Sequence, residues 1–169
     1  TYKDKRLAYE SSIRVPMIIS YPKLISKNTV IHEQCLNIDL APTILELAGI
    51  NKPKYMQGES MVKLISGKKD KTWRKSIFFE YYVDDAWPYA GPDQVAVRTN
   101  EYKLVDNFLK DDIDELYDLI NDPGEMKNLI NNVKYDDIEN DLRKESERLQ
   151  KKYKYNPDRD WWLRKQIRK

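Results

Sequence analysis

The chain has 169 residues, with 30 basic against 28 acidic side chains for a net charge of +2, and it is 40% apolar and 34% charged. That length holds one ordinary domain, or the end of one domain plus a small second one, and it is enough to bury a core. Interspersed charge argues against nucleic acid as a partner, which calls for a clustered basic footprint. The longest apolar stretches, such as residues 15–19, fall far short of the roughly 20 residues that span a bilayer, so no membrane span is expected.

The first six residues, Thr1-Tyr2-Lys3-Asp4-Lys5-Arg6, carry neither an initiator Met nor an apolar signal region, and the sequence reads as beginning inside a longer protein. Residues 15–21 form a nearly continuous apolar run closed by Pro22, which predicts a strand buried on both faces of a parallel sheet. Residues 30–35 predict a second short strand. A helix follows, with Asp39 as N-cap, Pro42 in the first turn and Gly49 as the C-terminal stop. Leu40, Ile44, Leu45, Leu47 and Ala48 give it an apolar stripe. Strand, loop and helix in this order are the grammar of an α/β layer.

Residues 60–66 predict a second short helix closed by Gly67. The polar stretch 67–71 marks the expected boundary between an α/β part, 1–70, and a smaller part, 71–169. Beyond it the period changes to that of strands: 77–82, 94–99, 102–105 and 115–120, with Asn100-Glu101 suiting a hairpin link. Four short strands with tight links predict an antiparallel sheet. Residues 135–153 predict a long helix whose apolar face, Ile138, Leu142, Leu149 and Tyr153, packs across that sheet.

Chemistry-bearing residues are few. Cys35 is the only cysteine and His32 the only histidine. The chain therefore offers no internal disulfide, no cysteine metal site, and no triad or metal centre built on several histidines. Cys35 reads as a small hydrophobe in the packing, and His32 as structural or exposed. The tail carries Arg159, Arg164, Lys165, Arg168 and Lys169 around Trp161 and Trp162. It reads as a solvated segment anchored by two tryptophans, although such a mixture can also hold an anion. The loop with Asp84, Asp85, Trp87 and Tyr89 combines acids with aromatic rings. It suits either sugar binding or a hydrophobic plug against a neighbouring domain.

Four stretches, in this order, resemble the type I sulfatases of the alkaline phosphatase superfamily. Lys5 to Tyr9-Glu10, followed by Arg14-Val15-Pro16, is similar to the family's Lys-x-x-x-Tyr-Glu block and Arg-x-Pro. Asp39-Leu40-Ala41-Pro42-Thr43, ending in Leu47-Ala48-Gly49, resembles its Asp-x-x-Pro-Thr helix. Gln57-Gly58-Glu59-Ser60 resembles its Gln-Gly-x-Ser turn. Val97-Arg98-Thr99, Tyr102-Lys103-Leu104, Glu115-Leu116-Tyr117-Asp118-Leu119 and Asp122-Pro123 resemble its C-terminal subdomain.

The resemblance implies the end of an alkaline-phosphatase-like α/β domain followed by a small subdomain, a four-stranded antiparallel sheet packed by a long helix. It implies hydrolysis of a sulfate ester, of a sulfated small molecule or glycan. Lys5 is then the lysine that contacts the sulfate, a compact point charge suited to one oxygen; on composition alone it is a solvated surface residue. Tyr9, Glu10 and Arg14 are framework that pins the Lys5 loop, with Arg14 paired to a carboxylate or carbonyls. Asp84, Trp87 and Arg98 are candidate substrate contacts, and Lys103 shares the ambiguity of Arg98.

The family also uses a formylglycine nucleophile, made in a Cys/Ser-x-Pro/Ala-x-Arg sequence, together with a calcium ion and histidines. Cys35 is followed by Leu36-Asn37-Ile38-Asp39, and Ser20-Tyr21-Pro22 lacks the arginine, so neither matches. The expectation is therefore a chain with no cofactor of its own, inactive alone. Its nucleophile and Ca2+ site would lie in an N-terminal catalytic portion of the same protein, and the full-length family member would be periplasmic or secreted. Two alternatives stand beside it: a related phosphonate or phosphodiester hydrolase, and a non-catalytic carbohydrate-binding or interaction module.

Overall fold

The computed structural model describes residues 7–82, 93–107 and 113–155. Lys5, Asp84, Trp87 and the basic-aromatic tail lie outside the described residues. The chain divides into two units, one of the chain up to Val15 together with Ser76 onward, the other Pro16–Lys75. Residues 7–15 thus belong with the sheet despite lying far from it in sequence.

In the first unit, α1 (Glu10–Ile13) is a single turn, and β1 (Ile77–Tyr81), β2 (Gln94–Arg98), β3 (Tyr102–Asn107) and β4 (Glu115–Asp118) form an antiparallel meander in that order. This is the sheet that the alternation predicts. The link between β2 and β3 closes tightly: the Thr99 amide donates to the Tyr102 carbonyl at 2.9 Å, and the Tyr102 amide donates to Thr99 Oγ1 at 2.9 Å. These bonds set Arg98 opposite Lys103, Ala96 opposite Val105 and Gln94 opposite Asn107.

Because side chains alternate across a strand, that register gives the sheet two different faces. Val97, Leu104 and Leu116 lie on one, packed by Leu142 and Leu149 of the C-terminal helix α4 (Asp136–Tyr153). Each of these leucines is worth about 1.5–3 kcal/mol when buried. Acidic residues Asp136, Asp137 and Glu139 occupy the first turn of α4, Lys151 and Lys152 the last, as the helix dipole favours. The other face carries Ala96 and Val105, with Phe79, packed on Ala8. By register it also carries Gln94, Arg98, Lys103 and Tyr117.

In the second unit α2 (Leu40–Leu47) and α3 (Val62–Ile65) are the helices. Met61, Leu64, Ile65 and Trp73 form its core, with Leu24, Ile25, Ile31 and Cys35 packed against them. Gly49 ends α2 with φ +73°, the left-handed geometry a stop glycine supplies. Asp39 departs from its expected role. Its fully buried carboxylate makes no cap to α2. It accepts instead from the amides of Leu36 at 2.7 Å and Glu59 at 2.8 Å, and pairs with Arg74. Gly58 lets the Gln-Gly-Glu-Ser turn reach this knot, since a Cβ there would lie 2.0 Å from the Ile38 carbonyl oxygen.

Two expected strands are not strands. Residues 15–21 and 30–35 carry no ladder, and Ile18, expected to be buried on both faces, is 94% exposed. The physical reason is partnership. A parallel strand takes its hydrogen bonds and its burial from neighbouring strands, and none lies beside these residues among those described.

Candidate functional site

Charge removed from water must be paired, and the face of the sheet opposite α4 holds charge at its centre. Lys103 stands in the middle of β3 with its side chain wholly buried. Its ammonium donates to the Ala8 carbonyl at 2.6 Å and is ion-paired with Glu10 Oε1 at 3.0 Å and Glu125 Oε1 at 2.5 Å. Glu10 also receives Arg98 in a two-pronged pair, Nε to Oε1 and the terminal nitrogen to Oε2, both at 2.9 Å. Two cations thus meet two anions, and the cluster is neutral. Burial by itself would raise the Glu10 carboxyl, but hydrogen bonds from Arg98 and Lys103 outweigh it and hold the group below its ordinary 4.5.

The same side chains fasten the backbone of residues 8–10. The Ala8 amide donates to Gln94 Oε1 at 3.0 Å, and the Glu10 amide donates to Glu125 Oε2 at 2.6 Å. Gln94 is oriented in turn by its amide donating to Asn107 Oδ1 at 2.7 Å. Glu125 itself adopts left-handed geometry, φ +54°, in the turn after Asp122-Pro123-Gly124. Next to it the Tyr117 and Tyr9 hydroxyls donate to the two oxygens of Glu115, at 2.7 and 3.3 Å. Burial and the Glu115 charge push the Tyr9 hydroxyl up to about 12, so both phenols stay protonated donors at neutral pH.

Among the sequence candidates, Arg98 is therefore committed to Glu10 and to the Thr99 carbonyl at 2.9 Å. Glu10 and Tyr9 lie in the framework that pins the block, while Arg14 is exposed. Glu125 and Gln94 were missed by sequence reasoning. Lys103 was noticed, but not its burial. The usable signal was parity: Gln94, Ala96 and Arg98 share one face of β2, opposite Lys103 and Val105, so two cations sat on a half-apolar face and called for anions.

The profile of the family described as N-sulphoglucosamine sulphohydrolase, C-terminal, matches residues 1–152. The chain belongs to this sulfatase family. It is 35% identical over 158 residues to an N-acetylglucosamine-6-O-sulfatase of Bacteroides thetaiotaomicron, covering 92% of this chain and 28% of that relative. A structure solved in complex with its substrate, D-glucosamine-2-N,6-O-disulfate, superposes with a TM-score of 0.78 at 32% identity, over 83% of this chain and 28% of that one. The phosphonate monoester hydrolase of Agrobacterium radiobacter shares the fold alone, with a TM-score of 0.58 at 21% identity over 68% of this chain and 24% of that one. The chain thus spans a little over a quarter of the length of the sulfatases it matches.

Among the described residues no set of three or more His, Cys, Asp and Glu is gathered to hold a metal ion. Burial and the neighbouring Asp39 charge raise the Cys35 thiol, whereas a reactive cysteine needs a lowered one. What the portion does hold is the Tyr9-Glu10 block of the family, fastened to the sheet by buried, charge-assisted bonds.

Proposed function

We propose that this chain is the C-terminal portion of an enzyme that hydrolyses the sulfate esters of sulfated carbohydrates, with Lys5 contacting the sulfate group. The observation that carries the reading is the family match over residues 1–152, which takes in the lysine block, the turn and the sheet together. A relative named N-acetylglucosamine-6-O-sulfatase and a structure solved with a glucosamine disulfate as its substrate support a sulfated amino sugar as the first substrate to try. The nucleophile and calcium ion would come from an N-terminal portion of the same protein. That the chain covers 28% of the relative and of the solved structure supports such a portion.

In this reading the chemistry of the chain is electrostatic. Negative charge gathers on the sulfuryl oxygens in the transition state, and a fixed ammonium stabilises it more than it stabilises the bound ester. The test compares Lys5→Ala with Lys3→Ala in the full-length protein, using a sulfated glucosamine at equal folding. Loss of one such contact costs about 3 kcal/mol, on the order of a hundredfold in rate. Lys3→Ala is expected to keep wild-type turnover. If both variants keep it, Lys5 is a surface lysine and the reading fails.

A further inference from the structure

We propose that Glu125 and Gln94, with Lys103, are positioning residues for this hydrolysis: they fasten residues 8–10 to the sheet and so anchor the chain that carries Lys5. The inference rests on the reading of Lys5 given above and deepens it.

Residues 8–10 belong to no strand, yet three of their backbone polar groups are bonded to the sheet unit, at 2.6–3.0 Å, by side chains that alternate onto one face or project from the turn after β4. An ordinary ladder would have held this segment with backbone alone. Here Gln94 supplies the acceptor, Lys103 the donor and Glu125 a second acceptor, and each is almost wholly buried. Two of the three are ionised, and charge-assisted bonds are shorter and stronger than neutral ones. Burying an ammonium and a carboxylate is a poor route to stability, because apolar residues of the same volume do as well or better. What the arrangement provides is a single geometry for the peptide groups it grips.

Only Arg6 and Leu7 separate Lys5 from Ala8, so at most about 11 Å of extended chain joins the lysine to the clamped residue. Clamping Ala8 therefore bounds how far from this anchor the lysine can lie. Positioning of this kind acts on rate more than on binding, since a displacement of about 1 Å costs on the order of a hundredfold.

The decisive experiment is a double-mutant cycle in the full-length protein, assayed with a sulfated glucosamine. Glu125→Gln keeps an acceptor for the Glu10 amide and removes the charge that holds Lys103. It is expected to lower kcat about tenfold to a hundredfold, with KM changed less than about twofold. Combined with Lys5→Ala, it is expected to cost nothing further, because the group it positions is gone. Should Glu125→Gln fail to fold, Gln94→Met, which removes the acceptor for the Ala8 amide, carries the same cycle. Losses that multiply in the double variant, or a change confined to KM, overturn the positioning role while leaving Lys5 in place. Full turnover in Lys5→Ala overturns the reading of Lys5, and the positioning role with it.

Discussion

Lys103→Met removes the one ammonium that Ala8, Glu10 and Glu125 share, and its consequence follows from which partners are left. Glu10 keeps its two-pronged pair with Arg98 and stays compensated. Glu125 does not: Lys103 is the only cation paired with it among the described residues, and its side chain is 4% exposed. Breaking a buried pair and leaving one charge behind costs about 3–5 kcal/mol. For a protein of this size each kcal/mol moves Tm by about 2–4 °C, so the melt should fall by roughly 6–20 °C. Adding Glu125→Gln removes the stranded charge and should restore about 1–2 kcal/mol, a coupling expected of residues in direct contact. Urea denaturation of wild type, both singles and the double closes the cycle. A Lys103→Met protein within about 1 kcal/mol of wild type would refute the argument, as would simple additivity.

Gly58→Ala should destabilise the Pro16–Lys75 unit by about 1–3 kcal/mol, because its Cβ would meet the Ile38 carbonyl oxygen at 2.0 Å; a melt unchanged by the substitution would show that the turn yields freely. Glu10 should leave a mark on acid stability. Its folded pKa lies below the ordinary 4.5, so its contribution is complete above that pH and is lost as pH falls through the lowered value. Glu10→Gln should flatten the stability profile below pH 4.5, and an unaltered acid limb would contradict this. The 169-residue chain on its own should hydrolyse no aryl sulfate, which a direct turnover assay with and without chelator checks.

Much of this architecture is local and was therefore legible in the chain. The alternating runs at Val95 and Val97, the two-residue link at Asn100-Glu101 and the apolar stripe through Leu142 and Leu149 each announce an element from residues a few positions apart. The sheet and its covering helix follow from them. The family block around Tyr9-Glu10 was likewise readable, because its spacing lies within one short stretch. Whether an apolar run becomes a strand is a different kind of question. Residues 15–21 have the composition of a buried strand, and only neighbours absent from the described residues could have made them one.

The buried ion cluster is where sequence reasoning stopped. Glu10 meets Arg98 across 88 positions, and its amide meets Glu125 across 115. No local period links such residues. Taken singly, Lys103 and Glu125 are the side chains most often found in water, and nothing in their flanking residues marks them otherwise. Tertiary structure decided their burial by laying residues 8–10 over the face of the sheet opposite α4. Once that face was closed to water, each charge there had to find its opposite, and the backbone of the lysine block became the object they hold.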